Sequence, residues 1–125
     1  MSFDPQHVYV IAEAGVNHNG QLDLAMQLVD AAASAGADAV KFQTFQADRL
    51  ASTTAPKASY QTETTSASES QHAMLKKLEL PFEWHVPLQQ HAKTLGITFL
   101  STPFDVVSLK FLQTLQLPML KVSSG

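Results

Sequence analysis

Short apolar segments alternate with segments of helical periodicity, and this alternation constrains the fold more than any other feature of the chain. The strand-like segments are 8–14, 37–44, 97–102 and 119–124, and the helix-like segments are 21–35, 69–78, 81–95 and 105–115. Gly36 and Gly96 each follow a helix-like segment, as glycine often does at helix ends. Alternating strands and helices favour a parallel sheet with helices packed outside it. The sequence therefore predicts one α/β domain over residues 1–125.

Composition excludes several classes of protein. The net charge is −3 and no block of basic residues occurs, which argues against a nucleic-acid partner. No apolar run approaches ~18 residues, so no membrane span is expected, and the first residues lack the pattern of a signal peptide. The chain has no cysteine, which excludes disulfides and thiolate metal sites. We therefore expect a cytoplasmic protein.

A Ser- and Thr-rich segment separates the second predicted strand from the helix that follows. It runs from residue 45 to about residue 68. Loops of more than ~12–15 residues are uncommon inside compact domains and are usually functional or disordered. We interpret this segment as a lid or a solvated loop and not as a phosphorylation site.

Polar side chains occur near the C-terminal end of each predicted strand. Because successive strand side chains alternate between faces, these side chains point away from the helices and toward the inside of the sheet. The set comprises Glu13, Lys41, Gln43, Thr102, Lys121 and Ser123 or Ser124. Parallel α/β folds bind their ligands at the C-terminal ends of the strands. The sequence therefore predicts a ligand site at this end of the sheet.

The charges in this set indicate an anionic ligand. Lys41 and Lys121 outnumber the single carboxylate of Glu13, and a buried ammonium without a partner is costly. A ligand carrying phosphate, carboxylate or both would balance the second lysine. The alternatives are that Glu13 is only a structural ion-pair partner of Lys41, or that the lysines extend into solvent.

The histidines give weaker signals. His18 lies beside Asn17 in the turn after the first strand, where the two residues either contact a ligand or shape the turn. His72, His85 and His91 fall on helical segments, and we interpret them as surface or packing residues. No pair of these histidines has the pattern of a metal site.

Five segments together resemble the N-acetylneuraminate (sialic acid) synthase family in order and spacing. They are IAEAGVNHNG, AGADAVKFQT, ESQHAMLKKLEL, GITFLSTPFD and LPMLKVSSG, and the resemblance runs from about residue 8 to residue 125. It implies the first four strand–helix units of a TIM barrel. It also implies an enzyme that condenses phosphoenolpyruvate with N-acetylmannosamine or a related N-acylated sugar. The implied products are a nonulosonic acid and phosphate.

The resemblance also implies roles for individual residues. Lys41, Lys121 and Ser124 would bind phosphoenolpyruvate, and Gln43 and Thr102 would lie close to it. Glu13 would act in acid–base catalysis between the two substrates. The family's divalent metal, Mn²⁺ or Mg²⁺, would take its ligands from outside this chain, so no metal site is expected here.

A complete barrel needs eight strands and about 250 residues. We therefore expect this chain to be an N-terminal part that binds phosphoenolpyruvate weakly or not at all and does not turn over alone. Exposed sheet edges invite pairing, which predicts a homodimer. Three interpretations stay open: a sialic acid-type or legionaminate-type synthase, a non-catalytic half-barrel that binds or assembles, and another phosphoenolpyruvate aldol-type synthase.

Overall fold

The structure, a computed structural model, describes residues 3–50 and 71–124. In chain order they form β1 (Ile11–Gly15), α1 (Leu22–Ser34), β2 (Ala39–Thr44), α2 (Ala47–Leu50), α3 (Gln71–Leu78), a 3-10 turn (Phe82–Trp84), α4 (His85–Thr94), β3 (Thr98–Pro103) and α5 (Val106–Thr114). The strands form a parallel sheet in the order β1-β2-β3. The predicted α/β fold with a parallel sheet is therefore confirmed. None of the described helices is long and apolar enough to cross a bilayer.

The apolar core lies between one face of the sheet and the helices α1 and α4. Val40, Phe42 and Phe99 project from β2 and β3 into it and meet Val29 of α1 and Leu88 of α4. The rings of Phe42 and Phe99 stack with their centroids 5.7 Å apart. Because side chains alternate along a strand, the polar residues of β2 point to the opposite face. Core packing thus determines which face of the sheet is free for a ligand.

The first strand begins at Ile11, three residues later than predicted. The Asp38 carboxylate accepts a hydrogen bond from the backbone N–H of Val10 at 2.7 Å. The Val10 carbonyl accepts in turn from the N–H groups of Asp38 and Ala39. The Asp38 side chain therefore binds the Val10 N–H that a neighbouring strand would need as a donor. The paired strand begins only after it, at Ile11.

The predicted fourth strand is wrong. Residues 119–124 pair with no strand in the described part of the chain, where the sheet has three strands. The Val122 carbonyl accepts a hydrogen bond from the Lys121 ammonium at 2.7 Å, so a side chain takes the place of a ladder partner there. The segment still lies near the inner face of the sheet. A cavity of about 190 Å³ is lined by Met119, Leu120 and Lys121 together with Ile11, Lys41 and Leu100.

The predicted loop from residue 45 begins with a helical turn, because α2 occupies Ala47–Leu50. The Glu79 carboxylate accepts a hydrogen bond from the backbone N–H of Ala47 at the start of that turn. The rest of the predicted loop, residues 51–68, lies outside the described residues. The predicted helix over 69–78 is confirmed for Gln71–Leu78.

Gly20 lies where the turn after β1 meets α3. Its φ is +69°, and a Cβ built there would collide with the carbonyl oxygen of Lys77. Gly36 has a similar φ of +82°, but no atom of the described residues lies within 4 Å of its Cβ position. We expect Gly20→Ala to lower the free energy of unfolding by roughly 2–4 kcal/mol, from backbone strain plus the collision. Gly36→Ala should cost only the strain, about 1–2 kcal/mol.

Urea unfolding followed by circular dichroism measures both variants against the parent. Equal losses for the two variants would contradict this prediction, because they would mean that the turn moves away from Lys77 at no cost.

Candidate active site

The polar side chains predicted at the strand ends surround one cleft. The cleft has a volume of about 350 Å³ and is lined by Glu13, Lys41, Gln43, Thr102, Phe104, Lys121, Ser123 and Ser124. All the strand-end residues of the predicted site are in this list. The structure therefore brings together residues that lie up to about a hundred positions apart in the sequence.

The register of the strands explains this proximity. Glu13 of β1 is the register partner of Lys41 of β2, and Gln43 of β2 is the partner of Thr102 of β3. Residues in register on one face of a sheet are neighbours across the strands. The carboxylate, the ammonium, the amide and the hydroxyl thus form a compact polar surface.

The first motif has a glycine, Gly15, two positions after Glu13, and the backbone conformation of Gly15 explains why a glycine stands there. It adopts a φ of +56° in the bulge that ends β1. A Cβ at this position would lie 3.2 Å from Oε1 of Glu13 and 3.7 Å from Nε2 of Gln43. The absence of a side chain therefore lets the backbone lie close beside the two polar groups.

Lys41 and Glu13 form an ion pair across β1 and β2. The Lys41 side chain is 16% exposed, whereas the Glu13 side chain is 50% exposed. The lysine is therefore held inside the cleft, while the carboxylate remains accessible from solvent. The pair agrees with the structural role considered for Glu13 and leaves its carboxylate open to a second partner.

Lys121 gives the cleft a positive balance. Its ammonium donates to a backbone carbonyl, and within residues 3–50 and 71–124 no carboxylate pairs with it. Thr102 is 4% exposed, and its hydroxyl has no hydrogen-bond partner among the described groups. A buried hydroxyl without a partner costs free energy. A second cation and an unpaired donor are the features that an oxyanion would satisfy.

Comparison with known protein families identifies the family of this chain. A model of the NeuB family matches residues 28–125 of the chain. This chain belongs to the NeuB family. Its relatives include the N,N'-diacetyllegionaminic acid synthases of Campylobacter jejuni, 53% identical over 93% of this chain and 35% of that protein, and of Legionella pneumophila, 54% identical over 94% and 33%.

A solved structure gives the same result. The N-acetylneuraminic acid synthetase of Leptospira borgpetersenii, in complex with citrate, matches with a TM-score of 0.72 at 32% identity. The match covers 92% of this chain and 35% of that protein. This NeuB family chain thus spans about a third of the length of the relatives that it matches.

In this NeuB family chain the turn after β1 does not bring its histidine into the cleft. His18 is fully buried, and its Nδ1 accepts a hydrogen bond from the N–H of Gly20 at 2.9 Å. Its ring lies 6.2 Å from that of Phe42 on the helix side of the sheet, and burial lowers its pKa. Asn17 is exposed. Neither residue lines the cleft, and substrate contact by either one stays a prediction.

Phe104 lines the cleft and was not among the predicted residues. Its N–H donates to the Thr44 carbonyl at 3.0 Å, and its ring packs edge-to-face against Phe45. Asp105 caps α5 by accepting from the Ser108 N–H at 2.7 Å. Phe104 could have been identified from the sequence, because it is an aromatic residue between the end of a strand and the cap of a helix.

His85 is buried and hydrogen-bonded at both ring nitrogens. Nε2 lies 2.8 Å from the Thr44 hydroxyl, and Nδ1 lies 3.0 Å from the Pro81 carbonyl oxygen. Burial lowers the pKa of His85 to about 4, although the Pro81 contact and the nearby Glu83 act in the opposite direction. The interpretation of this histidine as a packing residue is therefore correct, with polar contacts that the sequence did not indicate.

The lowered pKa of His85 predicts a loss of stability in acid. The unfolded chain takes up the proton near pH 6.5 and the folded chain near pH 4. The contribution of His85 is therefore complete above pH 6.5 and declines between these values, by up to about 3 kcal/mol. Burial of His18 acts in the same direction.

Urea unfolding at a series of pH values measures this effect in the parent and in His85→Gln. The difference in free energy of unfolding between the two proteins should shrink as the pH falls. A difference that stays constant with pH would contradict the assignment to His85.

Proposed function

We propose that this chain supplies the phosphoenolpyruvate-binding part of a synthase that condenses phosphoenolpyruvate with an N-acylated sugar. The products are a nonulosonic acid and inorganic phosphate. The observation that carries the proposal is the cleft. Among the residues that the structure describes, its lining has Lys41, Lys121 and a Thr102 hydroxyl without a hydrogen-bond partner, and Glu13 is its one carboxylate. Phosphoenolpyruvate carries both a phosphate and a carboxylate. Two ammonium groups and a hydroxyl donor match that charge and its need for hydrogen bonds.

The proposed reaction makes a carbon–carbon bond and releases phosphate. C3 of phosphoenolpyruvate attacks the aldehyde carbon of the open-chain sugar, and the aldehyde oxygen takes up a proton. Water adds at C2 and loses one proton to give a hydroxyl. That hydroxyl loses the second proton as the bond from C2 to the phosphate oxygen breaks, and phosphate leaves with the electron pair to give the 2-keto acid. Glu13 is the group that moves these protons, because its carboxylate is half exposed beside Lys41. The lysines hold the phosphate and the carboxylate as fixed positive charges.

The described residues do not form a metal site by themselves. Within 3–50 and 71–124, no group of three or more His, Asp and Glu residues is arranged to hold an ion, and the Glu13 carboxylate is engaged by Lys41. We propose no step through a metal here. A Mn²⁺ or Mg²⁺ ion that polarises the sugar aldehyde remains a proposal for the complete enzyme.

The acceptor that we favour is a doubly N-acetylated sugar of the legionaminate type. The support is similarity: 53% and 54% identity to N,N'-diacetyllegionaminic acid synthases, against 32% to an N-acetylneuraminic acid synthetase. N-acetylmannosamine is the second candidate. Assay of both acceptors with the complete enzyme separates them by their relative kcat/KM values.

We also propose that the complete protein is a cytoplasmic TIM barrel, and that this chain by itself forms a homodimer. Within the described residues β1 pairs on one side only, with β2. Three exposed apolar residues lie just before β1 and at its first position: Val8 is 80%, Val10 49% and Ile11 40% accessible. Such an edge pairs readily with another chain. Sedimentation of the chain over a range of concentrations tests association, and a monomer throughout would contradict it for this part.

The proposed function is tested by the effect of phosphoenolpyruvate on the melting temperature. A ligand that binds only the folded state stabilises it. We expect millimolar phosphoenolpyruvate to raise Tm of the chain by a small amount and to have no effect on Lys41→Ala or Lys121→Ala. The matched control is Lys110→Ala, which removes an exposed lysine from α5 and should keep the rise. A cooperative melt with no rise in the parent would refute binding by this chain.

A further inference from the structure

Three buried polar side chains connect the ends of β2 and β3 to the start of α4. The Thr44 hydroxyl lies 2.6 Å from the Ser101 hydroxyl and 2.8 Å from Nε2 of His85. Nδ1 of His85 lies 3.0 Å from the Pro81 carbonyl oxygen. Thr44, Ser101 and His85 are each 0% exposed. The proposed reaction uses none of them, and we call the three the buried triad.

The direction of every hydrogen bond in the buried triad follows from its last acceptor. The Pro81 carbonyl can only accept, so Nδ1 of His85 carries the hydrogen. Nε2 of the neutral ring then accepts from the Thr44 hydroxyl, and the Thr44 oxygen accepts from the Ser101 hydroxyl. The chain of bonds therefore runs in one order, from Ser101 to Pro81. The low pKa of His85 agrees with a neutral ring.

The buried triad lies directly behind the cleft. Thr44 follows Gln43 in β2, and Ser101 precedes Thr102 in β3. Gln43 and Thr102 are register partners and line the cleft. Because side chains alternate between faces, Thr44 and Ser101 point to the helix side. The Ser101–Thr44 and Thr44–His85 bonds therefore each constrain a backbone position next to a cleft residue.

We propose that the buried triad positions Gln43 and Thr102 for the phosphoenolpyruvate site, an inference that rests on the proposed function. Hydrogen bonds fix distance and angle closely, whereas apolar contacts are not directional. A misplacement of about 1 Å at a site can cost about 10²-fold in rate. Stability alone does not require the triad, since replacing both partners of a buried bond by apolar groups can be nearly neutral.

Thr44→Val tests the proposal, because valine keeps the shape and removes the hydroxyl. NMR spectra of the labelled full chain report two quantities: the amide shifts of Gln43 and Thr102 without ligand, and the dissociation constant of phosphoenolpyruvate from a titration. We expect Thr44→Val to move both amides and to weaken binding about tenfold, a fraction of the loss that full misplacement gives. Thr44→Ser restores the hydroxyl and should bind within about twofold of the parent.

Val29→Ala is the matched control, because it destabilises the core of α1 without touching the triad. It should lower stability and leave both the two amide shifts and the dissociation constant unchanged. If Thr44→Val behaves like Val29→Ala, the buried triad is merely structural and the proposal is wrong. If the parent shows no binding, the proposed function fails for this chain, and the Gln43 and Thr102 amide shifts still decide whether the triad positions them.

Discussion

In a hybrid synthase that carries this chain, Lys41→Ala is expected to lower turnover of phosphoenolpyruvate by about 10²- to 10³-fold, the loss typical of removing one preorganised charge donor. Lys41 is only 16% exposed and lies in the cleft beside Glu13. Its loss removes a fixed positive charge from the cleft and leaves the carboxylate without its partner. Both effects weaken the binding of a phosphate or carboxylate group.

Turnover is measured in a hybrid enzyme in which this chain replaces the matching part of the Campylobacter jejuni synthase, with which it shares 53% identity. Phosphate release in the presence of a diacetylated acceptor sugar is the signal. The control is again Lys110→Ala, which should keep the parent rate. A Lys41→Ala hybrid that retains more than about a tenth of that rate would contradict the proposed role.

Glu13→Gln in the same hybrid separates the two interpretations of the carboxylate. A proton-transfer group contributes about 10²- to 10⁴-fold, so kcat should fall by that factor while KM for phosphoenolpyruvate changes little. If Glu13 serves only to hold Lys41, the amide would disturb the lysine, and the main change would be a higher KM.

Phe42→Ala is expected to lower the free energy of unfolding by about 3–5 kcal/mol, the cost of removing a large aromatic side chain from a core. Phe42 is 0% exposed and stacks on Phe99, and the His18 ring lies beside it. Domains are stable by only about 5–15 kcal/mol, so this loss is a large share of the total free energy of unfolding.

Urea unfolding measures this loss, with Phe42→Leu as an intermediate that should stay folded. Val122→Ala is the control, because Val122 is 82% exposed and its truncation should change stability by less than about 0.5 kcal/mol. A loss below about 2 kcal/mol for Phe42→Ala would mean that the core closes around the cavity or that this ring is not central to it.

Local patterns predicted the parts of the structure that depend on neighbours in sequence. The alternation in β2 predicted Lys41 and Gln43 on the face opposite Val40 and Phe42. In the structure, Lys41 and Gln43 line the cleft, and Val40 and Phe42 lie in the core. The bounds of the predicted helices agree with the structure to within a few residues, because apolar spacing and glycine stops are local signals. The short helix α2 falls in the predicted loop and was missed.

Features that depend on distant partners were not predictable in the same way. The His85 ring contacts Thr44, which lies 41 residues away in the sequence. The sequence pattern of a histidine on an amphipathic helix is the same whether its side chain is solvated or buried. Residues 119–124 have the composition of a strand, yet a strand also needs aligned backbone partners, which composition does not report.

The sequence by itself determined the parallel α/β class, the face of the sheet that carries charge and the residue types of the site, because these follow from periodicity and chemistry along the chain. The tertiary structure decided which groups are buried, paired or left without a partner. It paired Glu13 with Lys41, left the Thr102 hydroxyl without a hydrogen-bond partner among the described residues and placed His18 behind the sheet. Such outcomes depend on contacts between residues far apart in sequence, which only the packed chain brings together.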